Sequence, residues 1–463
     1  MSGLCTAQLK YNLLQCVEYA MQNNLTVRQA EIQSRLSVLV LKQSRLSQLP
    51  TLAYGLNGSY SSGRNQDPTT FTLITKGYLS SSMSLQSGAE LFNWYTKRNT
   101  IAANELDVKA SVAAVEKQKN DIALLVANAY LQILLSKEQL KITEGQLGLS
   151  QARLINVRKL VDAGSLPELN SAELEAQVAA DSFNLISSRG NVDLNYLFLK
   201  AYMNIDAAVP FEIQEPAPEE IPLEKISDLQ PESVYALAMK NLPQQRVNQL
   251  RYLSAQKSSA AARGAMLPTL SAFGSLGSSY NNQAQTINGI TYINTPIGKV
   301  NVGGTMYDVL PNQPFSSYSY GKPAVGKQLS DNFRQSIGLS INVPILNGGT
   351  LRTNYERSKI NIENIQLQTQ VDDQKVKQDI YQAYNAAIVA FQKFNASKKS
   401  VETAQRSYDF ASKRYNIGFL TTIELVTNQN NLFTAKLQYT LNQFDYIFKM
   451  KVLEFYKGMG LKL

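Results

Sequence analysis

From Lys97 to Val161 the chain contains no proline, and its two internal glycines, Gly145 and Gly148, stand isolated among strong helix formers. That run predicts one helix of roughly 65–70 residues, about 100 Å long at 1.5 Å per residue. An ordinary globular helix has about 11 or 12 residues, so this one cannot lie within a single compact core. It must be a coiled-coil arm or part of the wall of something elongated. The stretch Phe92 to about Met203 reads as this helix, a break at Asp162-Ala-Gly-Ser-Leu-Pro167, and a shorter helix, Leu169–Tyr202, running back. Val108, Val112, Val115, Ile122, Val126, Ala129 and Ile133 step by threes and fours and predict the seam along which the long helix packs.

Upstream, Leu14, Val17, Met21, Leu25, Ile32, Leu36 and Leu39 predict a helix over Leu13–Leu46, ending near Pro50. Leu52, Tyr54, Leu56, Gly58 and Tyr60 then alternate with small or polar residues, as a strand does. Residues 61–76 read as a loop, Leu79, Ser81, Met83 and Leu85 as a second strand, and Gly88–Asn93 as the lead into the long helix. Beyond the returning helix, residues 204–231 hold five prolines and an acid cluster, a linker composition.

The chain then repeats. Ala20-Met21, Asn23 and Leu49-Pro-Thr-Leu52 recur 218 residues later as Ala238-Met239, Asn241 and Leu267-Pro-Thr-Leu270. Asn93, Arg98, Ala129-Tyr130, Gly164, Leu199 and Tyr202 recur 254 residues later as Asn347, Arg352, Ala383-Tyr384, Gly418, Leu453 and Tyr456. The offsets differ by 36 residues, which places an insertion at about 281–328, expected to form an extracellular loop. The organisation is therefore a first repeat (1–203), a linker (204–231) and a second repeat (232–463). Each repeat is half-length helix, two strands, full-length helix, half-length helix. Two half-length helices end to end span one full-length helix, so the strands belong at one end and the glycine breaks at the other.

Composition restricts the function. There is no histidine, which removes the commonest general base and metal ligand. Acid pairs such as Glu219-Glu220 and Asp372-Asp373 sit in linker or polar-helix contexts, and Gly303-Gly304 and Gly348-Gly349 lack the pattern of a phosphate loop. No catalytic site, metal or cofactor is expected. The net charge of +9 is spread along helices with acids between, the pattern of a solvated surface and not of a nucleic-acid site. Cys16, among apolar neighbours, reads as a buried thiol, and Cys5 as a conceivable lipid-anchor position. No charged-then-apolar leader opens the sequence, so a secretion signal is expected to be absent from it or removed. No apolar run reaches the 18 or so residues of a membrane helix, so a bilayer could be crossed only by strands. Four strands per chain cannot close a usable barrel, whereas three copies supply twelve.

The ordered set of features resembles the TolC-type outer membrane efflux proteins. It comprises the two-fold repeat, the two Leu-Pro-Thr-Leu junctions, Pro344-Ile-Leu-Asn-Gly-Gly349, the strand pattern Phe333, Gln335, Ile337, Leu339, Ile341, Val343, and the tip Tyr415-Asn-Ile-Gly-Phe-Leu420 before Thr-Thr-Ile-Glu424. The resemblance implies a mainly α fold with a β-barrel part. It would be a homotrimeric channel-tunnel whose twelve-stranded barrel lies in outer membrane lipid and whose helical barrel extends into the periplasm. It implies a passive conduit, not an enzyme, served by a periplasmic adaptor and an inner-membrane transporter. It further implies that Gly164, Leu166, Gly418 and Leu420 form adaptor-docking tips. Glu424 and Tyr415 would close the periplasmic aperture, with Asn170 and Thr427 where the family often has acids. The competing class is a non-channel coiled-coil scaffold or adhesin of the cell envelope, against which the paired strand hairpins argue.

Overall fold

The computed structural model describes residues 10–66, 71–216, 218 and 221–458. Cys5 and the Glu219-Glu220 pair lie outside them. Nine helices and eight strands are described, falling into a helical unit and a strand unit.

The helical unit comprises residues up to 41, 102–258 and from 357 onward. It holds α1 (Leu13–Asn23), most of α2 (Leu25–Leu46), α3 (Thr96–Asp162) beyond its first turns, α4 (Glu168–Met203), α5 (Pro231–Asn241), most of α6 (Pro243–Gly264), α8 (Thr350–Asn416) beyond its first turns, and α9 (Thr422–Phe455). Both full-length helices have 67 residues. The expected single helix over 13–46 is two. Asn24 is extended, its Oδ1 accepts the Thr26 and Val27 amides, and its Nδ2 donates to the Tyr202 carbonyl, so it ends α1 and caps α2. The second copy breaks at the matching position, Leu242, where Pro243 opens α6.

Two of the three cores in this unit are built from matching positions. The first gathers Ala20, Val126, Ala129, Ile133 and Leu199, with Cys16, Tyr130, Met203, Ile213, Phe444 and Ile447. The second gathers their counterparts Ala238, Ile380, Ala383, Ala387 and Leu453, with Leu229, Val234 and Met450. Cys16 is fully buried, and burial pushes its thiol pKa up to about 12. The predicted seam holds from Val115 to Ile133, but Val112 is exposed; Ala103, Ala110 and Ala113 take the buried positions there. The proline-rich segment is not a free linker. Its Ile213 and Leu229 enter the two cores, Tyr130 donates to the Gln214 carbonyl (2.5 Å), and Gln214 pairs with the Tyr11 backbone. Isolated apolar residues among prolines were enough to anchor it.

The strand unit comprises residues 42–101 and 259–356. Its main sheet has the order β1 (Thr51–Gln66), β2 (Leu73–Phe92), β3 (Thr269–Asn281), β8 (Arg334–Asn342), antiparallel throughout. The first hairpin is longer than expected. Residues 61–66 and 73–78 pair as strand, because serine, glycine and threonine are tolerated where cross-strand pairing continues. The insertion is also not a simple loop. It folds as β4 (Thr286–Ile293) paired with β7 (Phe315–Gly321), enclosing β5 (Gly298–Val302) paired with β6 (Thr305–Val309), and ends in the short helix α7 (Val325–Asp331).

Candidate functional site: a membrane wall and two helix tips

Residues directly opposite across an antiparallel ladder share a face, so the register assigns both faces of the main sheet. One carries Leu52, Tyr54, Leu56, Tyr60, Leu79, Met83, Leu85, Leu270, Leu276, Tyr280, Ile337, Leu339 and Ile341, with Gln335 and small residues between. Ile337 is 92% exposed. The other carries Asn57, Ser59, Ser80, Ser82, Ser84, Gln86, Ser271, Ser275, Ser336 and Ser340. Its hydroxyls pair across the ladder, Ser59 with Ser80 and Ser275 with Ser336, each at 2.8 Å. On that face Phe273 lies over Gly338, where an added Cβ would come within 2.7 Å of its ring. Among the described residues, the outer edges of β1 and β8 have no strand partner. A sheet with one apolar face, one hydroxyl face and two open edges is a segment of a membrane-spanning wall that needs further copies to close.

At the helix side of this sheet the chain turns into α3 through Trp94 and Tyr95, and into α8 through Gly348 and Gly349. All four have positive φ: +49° and +63° in the first turn, +63° and +76° in the second. Glycine adopts this freely, whereas each L-residue costs about 1–2 kcal/mol. The first turn is held by the Glu90–Lys97 ion pair (3.0 Å), by Lys97 donating to the Ser47 carbonyl (2.7 Å), and by Asn93 donating to Glu90 (3.2 Å). α3 accordingly begins at Thr96, later than the expected Phe92, and β2 continues to Phe92.

The two tips use one backbone design. Gly164 (φ +71°) and Gly418 (φ +79°) follow α3 and α8. The next amide in each donates back five residues, Ser165 to Leu160 at 2.8 Å and Phe419 to Arg414 at 3.0 Å. Leu166 is half-buried, packed with Leu154, Val157, Leu174 and Val426, and Leu420 is half-buried as well. The side chains most open at the second tip are Ile417 and Phe419, the latter 72% exposed.

Glu424 closes a capping box at the start of α9: its Oε2 accepts the Thr421 amide (2.9 Å) and hydroxyl (2.7 Å), while its own amide donates to Thr421 Oγ1 (3.3 Å). These bonds, the Thr421 amide first, and the charge of Arg414 hold its carboxyl below the usual carboxylate range. Tyr415 accepts the Gly418 amide on its carbonyl and places its hydroxyl 3.5 Å from that of Thr422. Thr427 turns back to the Ile423 carbonyl (2.8 Å), and Asn170 sits in the first turn of α4, where Pro167 provides no side-chain cap. A depressed carboxylate stabilises the fold above its ordinary range and loses that contribution as pH falls through its lowered value. Protection of the first-turn amides of α9 in hydrogen exchange, corrected for intrinsic rates, is therefore expected to fall on acidification; in Glu424→Gln that pH dependence should vanish.

Above the tips, α3, α4 and α9 share a buried polar cluster. Asp181, 2% exposed, accepts from Ser150 Oγ and from Gln177 Nε2 (2.9 Å). Gln177 and Asn430 exchange amide bonds at 2.9 and 3.1 Å, and Gln146 also donates to Asn430 (3.3 Å). Arg153 of α3 reaches α8, donating to the Tyr408 hydroxyl with its guanidinium carbon 5.3 Å from that ring's centre. Its Nη1 is buried with no partner among the described residues. An exposed pair, Arg158–Glu175 (2.7 Å), ties α3 to α4 nearer the tip.

The wall segment and the paired 67-residue helices define an outer membrane channel fold. The profile of the outer membrane efflux protein family matches residues 16–204 and 234–447, and the chain belongs to that family. It is 21% identical over 459 residues to outer membrane protein TolC of Escherichia coli K12, covering 96% of this chain and 82% of that one. Outer membrane efflux protein BepC of Brucella suis is 21% identical over 393 residues, 85% of this chain and 74% of that one. The structure of CusC superposes with a TM-score of 0.77 at 15% identity, covering 99% of this chain and 95% of that one. The CmeC outer membrane channel of Campylobacter jejuni superposes at 0.73 and 16% identity, covering 97% and 86%.

Sequence reasoning overlooked three features that had signals. Ile417 and Phe419 are apolar residues flanking a turn glycine, where polar ones are usual. Asp181 continues the apolar spacing Leu174, Val178 and so had to be buried. Trp94 and Tyr95 align with Gly348 and Gly349 at the repeat offset. The Arg153–Tyr408 contact joins residues 255 apart and left no local signal.

Proposed function

We propose that this protein is the outer membrane conduit of a three-component export system. Three copies close a twelve-stranded barrel, and substrates pass without chemical change from an inner-membrane transporter and its periplasmic adaptor to the outside. The observation that carries this reading is the main sheet, apolar on one face, hydroxyl-lined on the other and open at both edges. It fits no scaffold that stays in water. The two repeats, 1–203 and 232–463, supply equivalent halves of each wall, and residues 204–231 bind them near mid-height. The tips at Gly164, Leu166, Gly418 and Leu420, with Phe419 added on its exposure, dock the adaptor. At rest the periplasmic end is closed by tip residues including Tyr415 and Glu424, with Asn170 and Thr427 beside them.

Planar-bilayer recording tests this. Wild-type protein should insert and show small, mostly closed conductance, raised in Glu424→Gln. A large open conductance before any substitution would overturn closure at the tips; full extraction of the protein without detergent would overturn the channel itself.

A further inference from the structure

The net charge of +9 is not shared evenly between the two units. The strand unit, residues 42–101 and 259–356, holds twelve Lys and Arg against five Asp and Glu, so seven of the nine positive charges fall there. Three of its acids are already matched: Glu90 with Lys97 (3.0 Å), Asp308 with Lys299 (3.9 Å) and Asp331 with Lys327 (3.5 Å). What remains is mostly cationic, and the strand register assigns two of those cations to one face of the wall.

Arg334 lies opposite Gly277 on the face of Ser275 and Ser336, and Lys76 lies opposite Gly63 on the face of Ser59 and Ser80. Both side chains are exposed. This is the hydroxyl face, the one that meets water inside a closed barrel. Gly277 is seven residues up β3 from Leu270, about 24 Å along the strand or roughly 17–20 Å of height at the usual tilt. Arg334 therefore sits at membrane depth, where an arginine on the lipid face would cost about 2–4 kcal/mol and one on the inner face stays hydrated. Gly63 is twelve residues up β1 from Thr51, roughly 29–33 Å of height, which places Lys76 at the mouth. Among the described residues the only acid on this face of the sheet is Glu90, at the helix-side end opposite Ser271 and paired with Lys97.

We propose that the barrel selects anionic solutes, with Arg334 and Lys76 of three copies forming two rings of positive charge, one at membrane depth and one at the mouth. A twelve-stranded wall with strands about 4.8 Å apart and tilted by about 40° has a radius on the order of 12 Å. The Debye length is about 10 Å at 0.1 M salt, so the field of each ring reaches across the lumen. Charge of one sign between low-dielectric walls concentrates the opposite ion there. The serine hydroxyls between the rings can donate to an anion and add no charge that opposes it. This rests on the channel reading above and names the class of solute that the channel favours.

Reversal potentials of the full-length protein in planar bilayers test this. With about 10 mM KCl on one side and about 100 mM on the other, wild type should reverse on the chloride side, chloride being at least about threefold more permeant than potassium. The preference should shrink when both solutions are made tenfold more concentrated, because the Debye length then falls to about 3 Å on the stronger side. Lys76→Gln with Arg334→Gln should abolish the preference, and Lys76→Glu with Arg334→Glu should turn it toward potassium. Arg64→Gln removes a cation next to Gly63 but on the lipid face, opposite Thr75, and should leave selectivity unchanged.

Wild type reversing at zero or on the potassium side would overturn the proposal, as would a doubly neutral variant that keeps the chloride preference. An effect of Arg64→Gln as large as that of Lys76→Gln would make overall charge, and not the inner face, the source of selectivity, again against it. Should the double variant fail to insert, Lys76→Gln alone must still lower the preference, and no change there overturns the proposal. A protein that conducts without preference leaves the channel standing and removes the selectivity; one that never conducts removes both.

Discussion

Replacing Lys451 with Met should destabilise the helical unit by about 3–5 kcal/mol, the usual cost of stranding one partner of a buried ion pair. Lys451 and Glu454 lie in the last turns of α9, 3% and 4% exposed, with Nζ and Oε2 2.9 Å apart. The other Glu454 oxygen accepts the Glu224 amide at 2.9 Å, and Lys457 reaches the Glu224 carboxylate at 2.5 Å. The pair therefore also fastens the proline-rich segment to the second core. Removing the cation alone leaves a carboxylate with one backbone donor in place of a charge partner. Removing both, in Lys451→Met with Glu454→Gln, leaves no stranded charge and should recover most of the loss. Chemical denaturation of the solubilised protein reads this directly. A single variant as stable as wild type, or a double variant no better than the single, would refute it.

Arg153→Ala should raise the time the channel spends open. The guanidinium ties α3 to α8 above the tips through the Tyr408 hydroxyl and ring. A hydrogen bond to a charged group is worth about 1.5–3 kcal/mol, and 1.4 kcal/mol is tenfold in an equilibrium. Its loss, for a contact made only while the tips are together, shifts the equilibrium toward the open state by roughly 10- to 150-fold. Tyr408→Phe should open the channel in the same sense. Arg158→Ala should do far less, because the Arg158–Glu175 pair is solvent-exposed and such pairs contribute little. Single-channel recordings of the three variants would rank them, and equal effects in all three would remove Arg153 from the gate.

What the sequence disclosed follows from what is periodic. The 67-residue helices were legible because a proline-free run with turn glycines at matching offsets leaves few other conformations. Ala129 and Ala383, or Leu199 and Leu453, could be matched in the sequence because each pair takes a packing position, one in each of two cores. The break at Asn24 was missed because its cause is distant: the side chain donates to the Tyr202 carbonyl, 178 residues on. The first hairpin was cut short because serine and glycine resemble loop residues until a partner strand is known. At the tips, the glycines could be read from turn chemistry, but the roles of Glu424 and Tyr415 could not. The capping box gives Glu424 a local function within its own helix, and the aperture role proposed for it would be a property of the assembly.

The unpaired edges of β1 and β8 also bear on inheritance and quality control. A single chain cannot hide its own edges, so each copy's integrity becomes the business of its neighbours. In a three-chain closure, one subunit whose β8 edge could not pair would leave a gap in a ring otherwise made of sound copies. Damage of that kind is dominant, because a good copy does not mask a bad one.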